Sequence, residues 1–449
     1  MISDTPSTIA AIASPMGVGA ISIIRVSGPQ ALTVAELVSG GYDFSDTPRF
    51  ARRCKVFAQE GSLIDDGIIT FFRGPNSFTG EDTFEFTGHG GILVTREVLS
   101  RILECGATHA SPGEFSQRAF LNGKLDLTQA EGIMDLISAQ TRLAMRAAHS
   151  QLEGNLGKKT TEARDDLLGI LAHVEAWIDF PDEDIDPQTN SQLTERIQQV
   201  IATTEALLST AEQGRILREG VRTVIFGQPN VGKSSLLNHL LGFERAIVSD
   251  TAGTTRDTIE EVINLNGIPL RLVDTAGVRE SSDQVESQGI ERTVRQIEDA
   301  DLLIEVVDAS KPSPEHTIHT PKNTCHLLVL NKSDLGEHPS WSKTKAIRIS
   351  CTKDQGFDSL SEAVRSILQF AEADFGEHSV AINARHQASL KVANSSLKTA
   401  LLQFSNQTLD PEIASIDLRE ALDALGEIPG KVDTEDLLGM IFSEFCIGK

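Results

Sequence analysis

The chain has 449 residues, and its 40 Lys and Arg against 64 Asp and Glu leave a formal net charge of −24. That balance excludes a broad phosphate-tracking surface, so work on RNA needs a basic partner or a local patch. Five scattered cysteines with no CxxC pair exclude a disulfide framework and zinc-ribbon spacing, and no basic leader or apolar stretch of about 18 residues is visible, so a reduced, cytoplasmic protein without membrane insertion is expected.

Residues 1 to about 120 mix β-rich runs (Ile21 to Val26, Gly67 to Phe72, Thr83 to Phe86) with glycine turns and one helical stretch from Ile92 to Glu104. This predicts a compact α+β domain. It contains PNSFTGEDTFEFTGHGG (75–91), a glycine-punctuated run with Glu81, Asp82, Glu85 and His89, and then SPGEFSQRAFLNGKLDLTQAE (111–131). The first run reads either as a pair of turns or as a small-molecule mouth. In the second case Glu85 suits the amino-pyrimidinone edge of a pterin, with Arg25 and Lys124 meeting its anionic tail. From Asp126 to about Gly214 the period lengthens to that of helices, broken by DFPDEDIDP (179–187).

Between Val221 and about Phe370 strands alternate with helices (Leu270 to Val273, Leu302 to Val307, Leu327 to Leu330, Ala346 to Ile349), the pattern of a doubly wound domain. Four motifs lie in it in order: GQPNVGKS (227–234), TAGTTRD (251–257), DTAG (274–277) and NKSD (331–334). The first joins the apolar Val224 to Phe226 to a helix-like SLLNHLLG, which is the strand-to-helix context of a P-loop. Gly227 and Gly232 let backbone approach phosphate, and the helix N-terminus offers amide donors. Lys233 reaches the β- and γ-phosphates, and Ser234 takes a place on magnesium. Asp334, an acceptor-only carboxylate, pairs with the ring N–H and exocyclic amine of guanine, with Asn331 and the stem of Lys332 completing the slot. The GTP-contacting set expected from these motifs and the residues flanking them is Asn230, Val231, Gly232, Lys233, Ser234, Ser235, Ser249, Thr251, Thr254, Thr255, Asp274, Thr275, Ala276, Gly277, Asn331, Lys332 and Asp334.

Val278 stands where Ras-like enzymes carry a water-orienting glutamine. Three substitutes are open: Arg279 or Arg256 as an internal finger, Glu286 holding the water, or a monovalent cation. Asn230 beside the oxygen-rich SDTAGTT (249–255) favours a weakly hydrated cation such as potassium. Thr255 is the second expected magnesium ligand, with Asp274 acting through water. Helical period resumes from about Ala384 to Phe404 and from Ile416 to Leu425, and the chain stops at Phe445-Cys446-Ile447-Gly448-Lys449. Cys446 fits a prenylation box poorly; it reads as a packed tail cysteine or as a reactive thiol near a terminal carboxylate and lysine.

Taken together, IIRVSGP, PNSFTGED with GHGG, PGEFSQRAFLNGKLDL, EAWIDFPDED, the GTPase set with GTTRD, and DLLGMIFSEFCIGK resemble the MnmE (TrmE) family of tRNA-modification GTPases over essentially the whole chain. The resemblance implies a multidomain α/β protein: a tetrahydrofolate-binding, dimerising domain (1–120), a helical domain in two parts (121–217 and 379–449), and an inserted Ras-like G domain (218–378). It implies folate contacts at Arg25, Glu85, Lys124 and Lys449, a potassium loop of Asn230, Ser249, Thr251 and Thr254, magnesium on Ser234 and Thr255, and Glu286 as catalytic glutamate. It further implies a homodimer that joins an FAD-dependent partner in a heterotetramer. That complex acts on carbon 5 of the wobble uridine, with tRNA held mainly through the partner. The chain departs from the usual pattern at Val18 in PMGVGA, at Cys351 in the base-recognition loop Ser350-Cys351-Thr352 and at Pro429 in EIPGK. A ribosome-assembly GTPase would share the G motifs, but such proteins usually add a basic RNA-binding domain. The missing glutamine and the oxygen-rich loop predict GTP turnover faster in potassium than in sodium by at least about tenfold; equal steady-state rates in the two salts would remove the cation from the mechanism.

Overall fold

The computed structural model describes residues 7–179, 188–242, 261–273, 298–313, 321, 324–369, 380–405, 411–430, 435–443 and 445–448. The chain divides into two compact units, one of residues 1–134 with 426–449 and one of residues 135–425.

The first unit is built on a six-stranded sheet of β1 (Ile9–Ile12), β2 (Ile21–Ser27), β3 (Ala51–Phe57), β4 (Leu63–Phe72), β5 (Thr83–His89) and β6 (Thr108–His109), in the order β3-β4-β5-β2-β1-β6. Every pairing is antiparallel except that of β1 with β6. Period-two alternation sends Ile24, Val26, Ile69, Phe71, Phe84 and Phe86 to one face, where they bury against Val34 and Ala35 of the helix Ala31–Val38 and Val98 and Ile102 of the helix Ile92–Glu104. The same alternation sends Arg25 and Glu85, directly opposite one another in the β2/β5 register, to the other face. Strands β2, β4 and β5 and the helix Ile92–Glu104 lie where the sequence pattern places them. β3 escaped that pattern because ARRCKVF is a polar edge strand in which Val56 alone is buried.

The C-terminal segment completes this unit. Leu438 and Phe442 of the helix Glu435–Ser443, and Phe445 beyond it, bury with Leu127 and Ala130. Phe442 meets Phe445 at 5.1 Å and Phe120 at 6.4 Å between ring centroids. Gly113, at the start of the helix Glu114–Leu121, has φ of 65°, and a Cβ there would fall 2.6 Å from the Phe442 carbonyl oxygen, so only glycine lets the two segments approach.

The second unit carries a six-stranded sheet of β7 (Val221–Phe226), β8 (Glu261–Leu265), β9 (Ile268–Leu272), β10 (Leu302–Asp308), β11 (Cys325–Asn331) and β12 (Ile347–Arg348), in the order β12-β11-β10-β7-β9-β8. All pairings are parallel except the β8/β9 hairpin. Both faces are covered, which is why VRTVIF and LLIEVVD are near-continuous apolar runs. On one side Ile225, Ile304, Val306 and Val329 pack with Leu236, Leu237 and Leu240 of the helix Lys233–Gly242 and Leu360 and Val364 of the helix Phe357–Ile367. On the other, Val224, Phe226 and Leu303 cluster with Ala300.

Long helices flank this sheet in sequence: Arg142–Leu152, Asn155–Asp179, Gln188–Ser209 and Ala211–Glu219 before it, Ala384–Ser405 and Pro411–Glu427 after it. The buried Asn394 amide donates to the Thr204 hydroxyl at 2.8 Å, tying the helix after the sheet to one before it. The α/β part is therefore an insertion between helices that pack together, an arrangement periodicity alone leaves open. Among the described residues no helix is long and apolar enough to cross a membrane. Phe442→Ala is expected to remove about 3–5 kcal/mol of packing from the first unit. Hydrogen exchange should read this as lost protection at the Gly113 amide, which donates to the Cys446 carbonyl; unchanged protection would mean that the segment is not held by this cluster.

Candidate guanine-nucleotide site

The C-terminal ends of β7, β10 and β11 bring the P-loop and NKSD together at one edge of the parallel sheet. The link is Asn331, the last residue of β11 and 2% exposed. Its Nδ2 donates to the Val231 carbonyl at 2.9 Å, and its Oδ1 accepts from the Cys351 amide at 3.4 Å. One side chain thus joins the P-loop, NKSD and the Ser350-Cys351-Thr352 loop. A Cβ on Gly232 (φ 100°) would fall 2.1 Å from Asn331 Nδ2. The glycine expected to admit phosphate is thus required first to admit the asparagine.

Asp334, the carboxylate expected to read the base, is oriented by Ser350. Its fully buried hydroxyl donates to Asp334 Oδ1 at 2.6 Å and accepts from the Lys353 amide at 3.2 Å. One carboxylate oxygen is thereby turned inward, which fixes the plane of the carboxylate. Lys332 Nζ donates to the Asn230 carbonyl at 2.8 Å and to Asp308 Oδ2 at 2.7 Å. Lys233 Nζ donates to the Gly227 and Gln228 carbonyls, both at 2.9 Å, and burial pulls its pKa down. Val231 is buried beneath the loop, while Ser234 and Ser235 lie in the first turn of the helix, at its positive dipole end.

Asp308 was not among the residues expected at this edge. It ends β10 in register with Asn331 and is 5% exposed. Burial alone would raise its carboxyl; hydrogen bonds from Lys332 and Ser310 outweigh that and hold it below the ordinary carboxylate value. The one hint in the sequence is an acidic residue closing an apolar strand in VVDAS. Ser249, Thr251, Thr254, Thr255, Asp274, Thr275, Ala276, Gly277, Glu286 and Lys449 lie outside the described residues, as do Arg256, Val278 and Arg279.

In the first unit, Arg25 and Glu85 meet as a cross-strand ion pair. Arg25 Nε lies 2.9 Å and a terminal nitrogen 2.8 Å from Glu85 Oε1. The guanidinium also stands over Phe78 at 5.3 Å and Phe115 at 5.8 Å. The sequence pattern sets these two charges at opposite ends of a ligand; the fold sets them side by side. Lys124 Nζ instead donates to the Pro75 carbonyl at 3.0 Å, close to Asn122, whose amide donates to the Thr79 carbonyl at 2.8 Å. Cys446 is exposed, whereas Cys54, Cys105, Cys325 and Cys351 are partly buried, and burial pushes the Cys54 thiol up to about 11.

His89 of the glycine-punctuated run is oriented by Asp65, a residue that no motif contains. Asp65, 7% exposed, accepts from the His89 ring at 2.6 Å, from the His89 amide at 2.9 Å and from the Asp66 amide at 2.8 Å. The ring contact with Asp65 raises the His89 pKa.

Asn331→Ala removes both ends of the bridge and leaves the Val231 carbonyl without that donor. GDP binding is expected to weaken by at least about tenfold with the far-ultraviolet circular dichroism unchanged; a fluorescent-GDP titration showing native affinity would make the bridge dispensable.

A family model described as the MnmE helical domain matches residues 127–446, and one described as GTP-binding protein TrmE N-terminus matches residues 8–124. A protein of Akkermansia muciniphila named tRNA modification GTPase MnmE is 50% identical over 100% of both chains. Proteins of the same name from Aquifex aeolicus and Clostridioides difficile are 45% and 41% identical, each over 98% of this chain and 99% of its own. Matches that span the whole length, on a fold that brings a P-loop and NKSD to one sheet edge, place this chain in the MnmE (TrmE) family of tRNA modification GTPases.

Proposed function

We propose that this chain is the GTP-hydrolysing, potassium-activated component of a cytoplasmic complex that modifies carbon 5 of the wobble uridine of certain tRNAs. The observation that carries the guanine part is the Asn331 bridge with the Ser350–Asp334 contact, because it assembles phosphate and base recognition from one buried side chain. Magnesium would be held by Ser234 and Thr255, potassium by Asn230, Ser249, Thr251 and Thr254. The backbone carbonyl of Asn230, at φ of 64°, is taken by the Lys332 ammonium, so its side-chain oxygen is the atom that would meet the cation. The cations supply positive charge against the developing charge on the transferred phosphoryl group, the part an arginine finger plays elsewhere. Lys233 steadies the β- and γ-phosphates, and Glu286 orients the water.

A tetrahydrofolate derivative would be held in the domain of residues 1–120 by Arg25, Glu85, Lys124 and Lys449. The fit rests on Arg25 taking Glu85 through Oε1, which leaves Oε2 to accept from a pterin edge, and on the partly buried Phe78 as an apolar neighbour for a flat ring. The folate supplies the one-carbon unit. Cys446 is the candidate thiol for uridine chemistry, and its exposure suits that role. The helical parts (121–217 and 379–449) carry the inserted G domain (218–378). The protein acts as a homodimer in a heterotetramer with an FAD-dependent partner, which brings most of the tRNA contact; a net charge of −24 supports that division of labour. Mass spectrometry of tRNA from cells lacking this protein is expected to find wobble uridines without the carbon-5 aminomethyl or carboxymethylaminomethyl group. Fully modified uridines in those cells would overturn the reading.

A further inference from the structure

Among the described residues, six other than glycine have positive φ, and two of them are Asn230 (64°) and Lys332 (62°). Each such residue costs roughly 1 kcal/mol and persists where its surroundings over-determine it. Here the same ammonium serves both. Lys332 Nζ spans from its own loop to the Asn230 carbonyl at 2.8 Å, and the charge that makes it stay is Asp308, whose Oδ2 lies 2.7 Å away. Asp308 Oδ1 is in turn fixed by the Ser310 amide at 3.1 Å and the Ser310 hydroxyl at 2.7 Å. A carboxylate needed only to close the strand would be satisfied by that Ser310 turn. The contact with Lys332 goes further: its carboxylate end is 5% exposed and its ammonium end 31%, so water screens it only from the lysine side.

We propose that Asp308 is a positioning residue for guanine recognition, holding the Lys332 ammonium against the Asn230 carbonyl so that the base-reading loop and the P-loop move as one body. The inference rests on the assignment of Asn331, Lys332 and Asp334 to guanine. The stem of Lys332 runs between two anchored ends, so the floor of the base slot is rigid before a base arrives, and the alignment of Asp334 with the exocyclic amine depends on that rigidity. Loss of the Asp308 charge frees the ammonium, and with it the register between the two loops.

The test uses the full-length protein with Asp308→Asn, which keeps volume and an acceptor for Ser310 while removing the charge. Affinities for GDP and for IDP, which lacks the exocyclic amine, are measured by displacement of a fluorescent GDP. GDP is expected to weaken by about tenfold and IDP by much less, so that the GDP-to-IDP preference falls. In a Lys332→Met background the Asp308 substitution is expected to change the preference no further. Equal weakening of both nucleotides, an unchanged preference, or a loss that adds to that of Lys332→Met would overturn the inference. An unsubstituted protein that does not prefer GDP to IDP would instead overturn the guanine assignment, and the role of Asp308 with it. Should Asp308→Asn fail to fold, Asp308→Glu carries the same comparison: it keeps the charge and is expected to retain most of the preference, and loss of preference in a folded Asp308→Glu protein also overturns the proposal.

Discussion

The guanine-nucleotide edge depends on one buried amide. Asn331 must reach the Val231 carbonyl and receive the Cys351 amide at once, and Gly232 must lack a side chain for it to do so. A hydrogen bond between neutral groups contributes on the order of 1 kcal/mol net, but a buried polar group left without its partner costs about 1–3 kcal/mol. The bridge is therefore more costly to break than it is strong. That asymmetry lets one side chain hold three loops in a fixed register. Ser350, turned onto Asp334 from the third of those loops, passes the same register to the carboxylate proposed to read the base.

Around this bridge the local charges are arranged against the sign of the whole chain. A protein with a net charge of −24 repels polyphosphate at long range. At the site, Lys233 and Lys332 are both anchored on backbone carbonyls, and Lys332 is held by a carboxylate that is itself almost fully buried. Lys233 and the helix N-terminus after Gly232 place positive charge at short range on this edge, where it is less screened than the diffuse field of distant surface charges.

The first unit shows the same division with different residues. One face of its sheet is a core of phenylalanines and aliphatic side chains; the other presents Arg25 and Glu85 as a pair beside Phe78 and Phe115. The C-terminal segment returns to this unit through Phe442 and Phe445, and Gly113 is the point of closest backbone approach. The exposed Cys446 is thus carried on a tail tethered by packed aromatics, within the same unit as the Arg25–Glu85 pair.

The amino-acid sequence by itself determined the doubly wound G domain, the four ordered motifs, the strands β2, β4 and β5, and the long helices, because each is written in local spacing or local period. It could not show β3, whose edge position leaves no apolar alternation, nor Asp308, which looks like any acidic residue ending a strand. Only the tertiary structure decided that Asn331 bonds a carbonyl 100 positions away, that Arg25 pairs with Glu85 across 60 positions, and that Asn394 ties to Thr204 across 190. Such contacts follow from strand order and helix packing. Those are settled by which apolar faces bury against each other over the whole chain, and local periodicity carries no record of that choice.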